Sequence, residues 1–415
     1  MEDNTPLGNG TFVSERLRQG SILILTCFFF AHAIFHFMTQ SFSVMLPAIK
    51  STFGINPIQI GALITAKELA AGLAALPGGV LSDYLSHRRA LIMTTCMILF
   101  GFGWLLIGHS PLYGLLFVGM VIVAVASAVW HLPSLAELGN QFTRSRGAVF
   151  ALHGAGGSIG DISGPIITGM LLGMLSWRSI ISIYSLVPLL MSVLIFWVFR
   201  RNNHRLNLPA KQTATHPGKF REQFVVTKEI LRKTHIWRVN LVAGFRGMCF
   251  TVIITFMPLF MKEQLGFNSA AIGFHVGLLW SIGIVASPLM GYLSDQWGRK
   301  LVLVPALFYS CLLIFLLSFG HKGVMFTLLI ALLGISIRSD YSLIYATILD
   351  ITGDRMVTTM LGFLSLTRFI IGAVSPLIAG ALYQYVGMQA TLIFVAALFG
   401  AAAVIFATVD MNKKA

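Results

Sequence analysis

Apolar residues in this chain come in long unbroken runs rather than in alternation. Runs of about 20 such residues recur along its whole length, and each is long enough to cross a ~30 Å hydrocarbon layer as a helix. Their continuity, with abundant Leu, Ile, Ala and Gly, argues against the alternating pattern of a transmembrane barrel. The pattern predicts spans near 21–44, 57–82, 90–109, 112–140, 147–175, 178–200, 237–261, 268–294, 301–320, 324–350, 357–386 and 388–410. One long polar interval, 201–236, holds Pro209, Pro217 and many basic residues. It divides six spans from six. The expected fold is an all-α polytopic membrane protein with twelve transmembrane helices. A six-helix bundle at 1–200 is joined by a linker at 201–236 to a second at 237–415.

Composition agrees with a bilayer. Of 415 residues, 56% are apolar and only 11% charged, too few charges to cover a soluble surface of this size. The net charge of +14 could suggest nucleic acid, but its distribution suggests a membrane. Twenty-one of the 29 Lys and Arg fall in segments on the side of the N-terminus, four in the opposite loops, and four (Lys67, Arg246, Arg338, Arg368) within spans. This asymmetry orients both termini toward the cytoplasm and removes the need for a nucleic-acid partner. The first run follows a polar segment and is too long for a signal-peptide core, so it reads as the first span. Cys27, Cys96, Cys249 and Cys311 each sit in an apolar run without C-x-x-C spacing, and read as small buried hydrophobes rather than metal ligands or disulfides.

The chain repeats itself. Gly79-Val-Leu-Ser-Asp83-Tyr-Leu-Ser-His-Arg88-Arg89 returns as Gly291-Tyr-Leu-Ser-Asp295-Gln-Trp-Gly-Arg299-Lys300, and Gly164-Pro165-Ile-Ile-Thr-Gly169 returns as Ser375-Pro376-Leu-Ile-Ala-Gly380. Both matches make each span in the first half equivalent to the span six later, which implies two pseudo-symmetric halves around a midplane site. The G-x-x-x-D loop with its basic pair resembles the signature loop of the major facilitator superfamily, in both copies. That resemblance covers nearly the whole chain. It implies close helix approach at Gly79 and Gly291, gating contacts across the halves by Asp83 and Asp295, and cytoplasmic placement of Arg88, Arg89, Arg299 and Lys300. Glu137 and Arg144 follow an E-x6-R spacing also found in the superfamily and join the gating set.

The fifth span, Gly160-Asp161-Ile-Ser-Gly164-Pro165-Ile-Ile-Thr-Gly169, is similar to the glycine–proline motif of the superfamily's proton-coupled exporters. Thr168 stands where that motif has a further glycine. Glycines four apart permit close helix packing, and Pro165 introduces a kink. Trp130-His131-Leu-Pro133 followed by this span more loosely resembles fosmidomycin-resistance-type exporters.

Ionisable groups inside spans cost at least ~2.5–3.5 kcal/mol each on insertion scales, and so face a cavity or one another. The third, sixth, ninth and twelfth spans have none in their cores, and in the superfamily these helices face lipid. The others carry His32, His36, Lys67, Glu68, His131, His153, Asp161, Arg246, His275, Arg338, Asp340 and Arg368. His32 and His36 share one helix face, which Gln40 extends. Two histidines at this spacing could ligate metal, but without an evident carboxylate-rich partner set they read as a cavity wall. No metal or cofactor is expected. Lys67 and Glu68 diverge by about 100° and Arg338 and Asp340 by about 200°, so one of each pair is expected in the cavity and one in a helix interface. Arginines prefer carboxylate or phosphate partners. An organic-anion substrate is therefore read at His32, His36, Gln40, Lys67, His131, Arg246, Arg338 and Arg368. Glu68, Asp161 and Asp340 are the candidate proton-coupling groups.

The reading is a monomeric secondary transporter of the inner membrane, carrying a small organic anion or drug by proton-coupled alternating access. Export by antiport is preferred. Uptake by symport is the alternative, and a non-transporting membrane sensor a minor one. No nucleophile–base set or Walker sequence points to an enzyme or a nucleotide-driven pump.

Overall fold

The structure is a computed structural model, and it describes residues 8–143, 145–202, 232–320, 322–352 and 357–411. Arg144, Arg355, Lys413, Lys414 and most of the 201–236 interval lie outside the described residues. The described chain is all-α, with twelve long helices: α1 Gly8–Phe53, α2 Pro57–Tyr84, α3 Arg89–Gly108, α4 Tyr113–Gln141, α5 Arg146–Leu171, α6 Trp177–Asn202, α7 Thr234–Glu263, α8 Ser269–Trp297, α9 Arg299–Leu317, α10 Val324–Thr352, α11 Val357–Tyr385 and α12 Met388–Ala407. Eleven are long and apolar enough to cross a membrane. The twelfth, α5, is diluted by its glycines and by His153, Ser158 and Asp161. Helix α1 overruns its expected span at both ends, passing through Pro47 to Phe53. Prolines also lie inside α2, α4, α5, α6, α7, α8, α9 and α11 without ending them. In hydrocarbon a broken helix has no water to satisfy its backbone, so the helix continues past the ring.

The repeat extends into backbone geometry. The turn between α1 and α2 uses Gly54 at φ 61°, and the turn between α7 and α8 uses Gly266 at φ 69°. Two residues later Asn56 accepts a hydrogen bond from the Gln59 amide at 2.9 Å, and Asn268 from the Ala271 amide at 2.8 Å. Each pair is thus a left-handed glycine followed by a helix N-cap.

Helix α1 packs along α5, and α7 along α11; α3 packs with α4 and α6, and α9 with α12 and α10. The halves meet chiefly through α2 against α11 and α5 against α8. Small residues make these contacts. A Cβ at Gly156, Gly160 or Gly164 of α5 would collide with the carbonyl oxygens of Phe29, Ala33 and Phe37 on α1. Between the halves the contacts are reciprocal. Gly61 lies against the Pro376 carbonyl and Gly273 against the Pro165 carbonyl, while Gly380 lies against Pro57 and Gly169 against Ser269. All four glycines sit toward the end of the bundle where α1 finishes, here termed the far end. At the opposite, basic end, a Cβ at Gly147, Gly291 or Gly362 would meet none of the described residues. Among the described residues no hydrogen bond or ion pair joins the halves at the basic end.

Candidate functional site

Two polar clusters lie at mid-height between the halves. In the first, α1 contributes His32 and His36, α4 His131, and α5 His153, Ser158 and Asp161. His36 Nδ1 donates to Asp161 Oδ1 at 2.8 Å. The other carboxylate oxygen of Asp161 accepts from Arg338 Nη1 of α10 at 3.3 Å, and Arg338 Nη2 donates to Ser158 Oγ at 2.6 Å. The Asp161 side chain is 3% exposed, whereas His36 and Arg338 keep 34% and 29%. The carboxylate is therefore enclosed, while its two partners stay partly exposed. Trp280 of α8 lies beside the guanidinium, 5.9 Å from it. The close backbone approach of α5 to α1 at Gly160 brings Asp161 within reach of His36. The line His36–Asp161–Arg338 thus ties the N-terminal half to the C-terminal half.

The second cluster joins α2, α10 and α11. Lys67 Nζ donates to Glu68 at 3.1 Å, so the two neighbours converge where their backbone directions suggested divergence. The long flexible lysine stem bends back to the shorter acid. Arg368 Nη1 donates to Tyr341 Oη at 2.6 Å, and the Tyr341, Tyr345 and Ser365 hydroxyls continue the chain at 2.5 and 2.7 Å. Glu68 lies within electrostatic range of Arg368 but also pairs with Lys67. Arg338 and Tyr341 are one turn apart on α10, so both clusters hang from one helix face.

Other expected site residues lie elsewhere. Arg246 and Asp340 form a closed pair, with Arg246 Nε to Asp340 Oδ2 at 2.6 Å and side chains 3% and 0% exposed. Arg246 also donates to the Ile337 carbonyl. This pair welds α7 to α10 within one half rather than facing a cavity. Gln40 is buried, and its Oε1 has no hydrogen-bond partner among the described residues. His275 is held by the Ala271 carbonyl and Thr327, at the far end of α8.

The basic end differs from the expected gates. Asp83 faces Arg89 at 3.8 Å, and Arg89 reaches Glu137 at 4.0 Å. Arg299 pairs with Asp295 and, at 2.8 Å, with Asp350. Each set stays within its own half, so neither Asp83 nor Asp295 bridges the halves here. Glu137 also accepts from Gln141 at 2.7 Å; its expected partner Arg144 is outside the described residues. Arg88 is exposed in the short 3-10 turn Ser86–Arg88, and Lys300 is half-buried at the start of α9. Gly79 meets Leu132 only at an ordinary 3.5 Å, and Gly291 meets nothing. In the first half the close approach falls one residue earlier, at Gly78 against Val129.

Sequence reasoning missed Ser158, Tyr341 and Asp350. Ser158 and Tyr341 could have been found by their spacing of three from Asp161 and Arg338. It also missed the far-end contact in which Lys50 Nζ donates to Glu263 at 2.5 Å, with Tyr383 on the same carboxylate.

Comparisons with known proteins agree with this architecture. The chain is 22% identical over 385 residues to the hexuronate transporter of Bacillus subtilis (strain 168), covering 87% of each. It is 21% identical to a probable L-galactonate transporter of Escherichia coli (strain K12), covering 88% of this chain and 84% of the other. A bacterial homologue of the human lysosomal transporter Spinster, solved inward-facing and unoccupied, superimposes with a TM-score of 0.79 at 15% identity, over 95% of this chain and 98% of that one. The family description of the Major Facilitator Superfamily matches residues 28–337 and 239–414. This chain belongs to the Major Facilitator Superfamily and is a multi-pass membrane transporter, not an enzyme.

Proposed function

We propose that the chain carries a small organic anion together with a proton, by alternating access about the two mid-height clusters. The observation that supports this most directly is a charge count across the interface. Among the described residues Lys67, Arg338 and Arg368 face two carboxylates, Asp161 and Glu68, and Glu68 serves two of the cations. One positive charge is left for a substrate, and guanidinium groups hold carboxylates and phosphates in paired hydrogen bonds. The two curated relatives above are named for carboxylate-bearing sugars, which suits this chemistry.

The arrangement also suggests coupling. While Asp161 is ionised it occupies Arg338. A proton on Asp161 removes that competitor, and an anion can then take its place on the guanidinium. Proton and anion load together in this scheme, so they move in one direction. Symport is therefore preferred over the antiport suggested by the α5 glycines, whose contacts with α1 and α8 are accounted for by helix packing. With the basic end in the cytoplasm, as the Lys and Arg distribution implies, the conformation described here opens inward and is sealed outside.

The test is transport in proteoliposomes under an imposed pH gradient, with hexuronates, aldonates and a hydrophobic cationic drug as probes. The expected result is saturable, gradient-driven anion uptake that is lost in Arg368→Ala and uncoupled from the gradient in Asp161→Asn. Drug transport that survives Arg368→Ala would overturn the anion reading. Anion binding with no flux would point to a sensor.

A further inference from the structure

His32, His36 and His131 converge from α1 and α4. One ring nitrogen of each lies within 4.8 Å of the other two. In all three rings Nδ1 is occupied by an oxygen acceptor: the His153 carbonyl at 2.8 Å for His32, the Ser127 carbonyl at 2.6 Å for His131, and the Asp161 carboxylate at 2.8 Å for His36. A backbone carbonyl only accepts, so Nδ1 carries the hydrogen, and in a neutral imidazole Nε2 is then left with its lone pair. The same holds for His36 while Asp161 is ionised. The rings are also fixed in place. The His153 ring stacks on His32 at 4.2 Å and 4°, and the three rings contact one another at centroid distances of 4.6, 5.0 and 6.2 Å.

Imidazoles that donate Nδ1–H to a carbonyl or carboxylate, and so present Nε2, have the usual outer-shell arrangement of metal-ligating histidines. We propose that His32, His36 and His131 form a binding site for a divalent transition-metal ion of the zinc class, with the remaining coordination position open to the space between the halves. Three imidazoles are a sufficient protein set for zinc with an exchangeable fourth ligand. At Zn–N lengths of about 2.0–2.1 Å the nitrogens must close to roughly 3.4 Å apart, against an upper limit of 4.8 Å between ring nitrogens of the three residues here. An anion alone fits this spot poorly, because three neutral Nε2 lone pairs repel it. A cation removes that repulsion. The ion would leave the His36–Asp161 hydrogen bond intact and polarise it, tightening the His36–Asp161–Arg338 tie and slowing alternation between conformations. The inference does not depend on the substrate reading above.

The experiment uses the full-length detergent-solubilised protein, purified without a histidine tag. Zn2+ is titrated by calorimetry and Co2+ by visible absorption. The expected result is one Zn2+ per chain and the intense visible bands of four-coordinate Co2+. His32→Gln and His131→Gln should each weaken binding at least tenfold. Asp161→Asn, which removes the carboxylate that holds His36 and also the counter-charge of Arg338, should weaken it about 10–100-fold. His109→Gln, at the distant end of α3, should leave it unchanged. Native protein that binds no Zn2+, or gives only the weak bands of six-coordinate Co2+, would overturn the proposal without any variant having to fold. Binding that survives His32→Gln with His131→Gln, or that disappears in His109→Gln, would overturn it too.

Discussion

The far end and the basic end of this molecule are built from the same repeat and behave differently. At the far end Gly61, Gly169, Gly273 and Gly380 let backbones of opposite halves touch, and Lys50 reaches Glu263 across the gap. At the basic end the matching charged groups turn inward to their own halves, Asp83 to Arg89 and Asp295 to Arg299. The difference teaches which interactions belong to the fold and which to one conformation. Buried, single-half contacts such as Arg246–Asp340 hold each bundle together. Contacts between halves must be able to break, and among the described residues no hydrogen bond or ion pair joins them at the basic end.

The largest effect should come from filling the far-end contact. Gly61→Leu or Gly273→Leu places a side chain where a carbonyl oxygen sits, so the seal cannot form. Transport should fall to background while the protein stays monodisperse, and engineered cysteines beside Gly273 should become reactive to impermeant thiol reagents. Unchanged flux would show that the seal is not part of the cycle.

Next is the mid-height tie. Asp161→Asn leaves Arg338 without its carboxylate, and the gradient-driven part of transport should drop at least tenfold. The double variant Asp161→Asn with Arg338→Gln should recover thermal stability but not coupling. If the two substitutions add independently, the groups are not energetically linked. As a reference within one half, Arg246→Met strands Asp340 at 0% exposure and should destabilise by about 3–5 kcal/mol, an effect that Arg246→Met with Asp340→Leu largely reverses.

Gly291→Leu sharpens the comparison from the other side. Its Cβ meets open space here, so melting temperature should hold while flux falls several-fold, because the basic end must close in the opposite conformation. The smallest effect belongs to Lys50→Ala. Its pair is partly exposed, at 21% and 30%, and such pairs contribute about 0–1 kcal/mol. Flux should change by less than about threefold, and the change should shrink in high salt.

Much of the fold was legible because a bilayer imposes one rule on every span. The twelve runs and the offset linking Asp83 to Asp295 follow from hydropathy and self-comparison. The pairing of Gly61 with Pro376 was not legible, since nothing local to either residue names a partner three hundred positions away. The same limit hid the convergence of His131 on His32 and His36, which depends on the contact of α4 with α1. Lys67 and Glu68 were misjudged for a different reason: backbone angles set where a side chain starts, and a lysine has four further bonds with which to turn back. The sequence placed Arg338 and Asp340 on different faces, and they do find different partners. It could not say that Asp340 and Arg246 would neutralise each other out of reach of the cavity.

The reciprocal glycine–proline contacts carry an implication about ancestry. Each half offers one helix with a glycine notch, α2 or α8, and one with a protruding proline carbonyl, α5 or α11, and the notch of each half receives the carbonyl of the other. Such a surface is self-complementary, the property of an isologous dimer interface. A single six-helix half duplicated in tandem would already possess both sides of the joint, and two copies of the N-terminal half expressed without the other should associate as a pair.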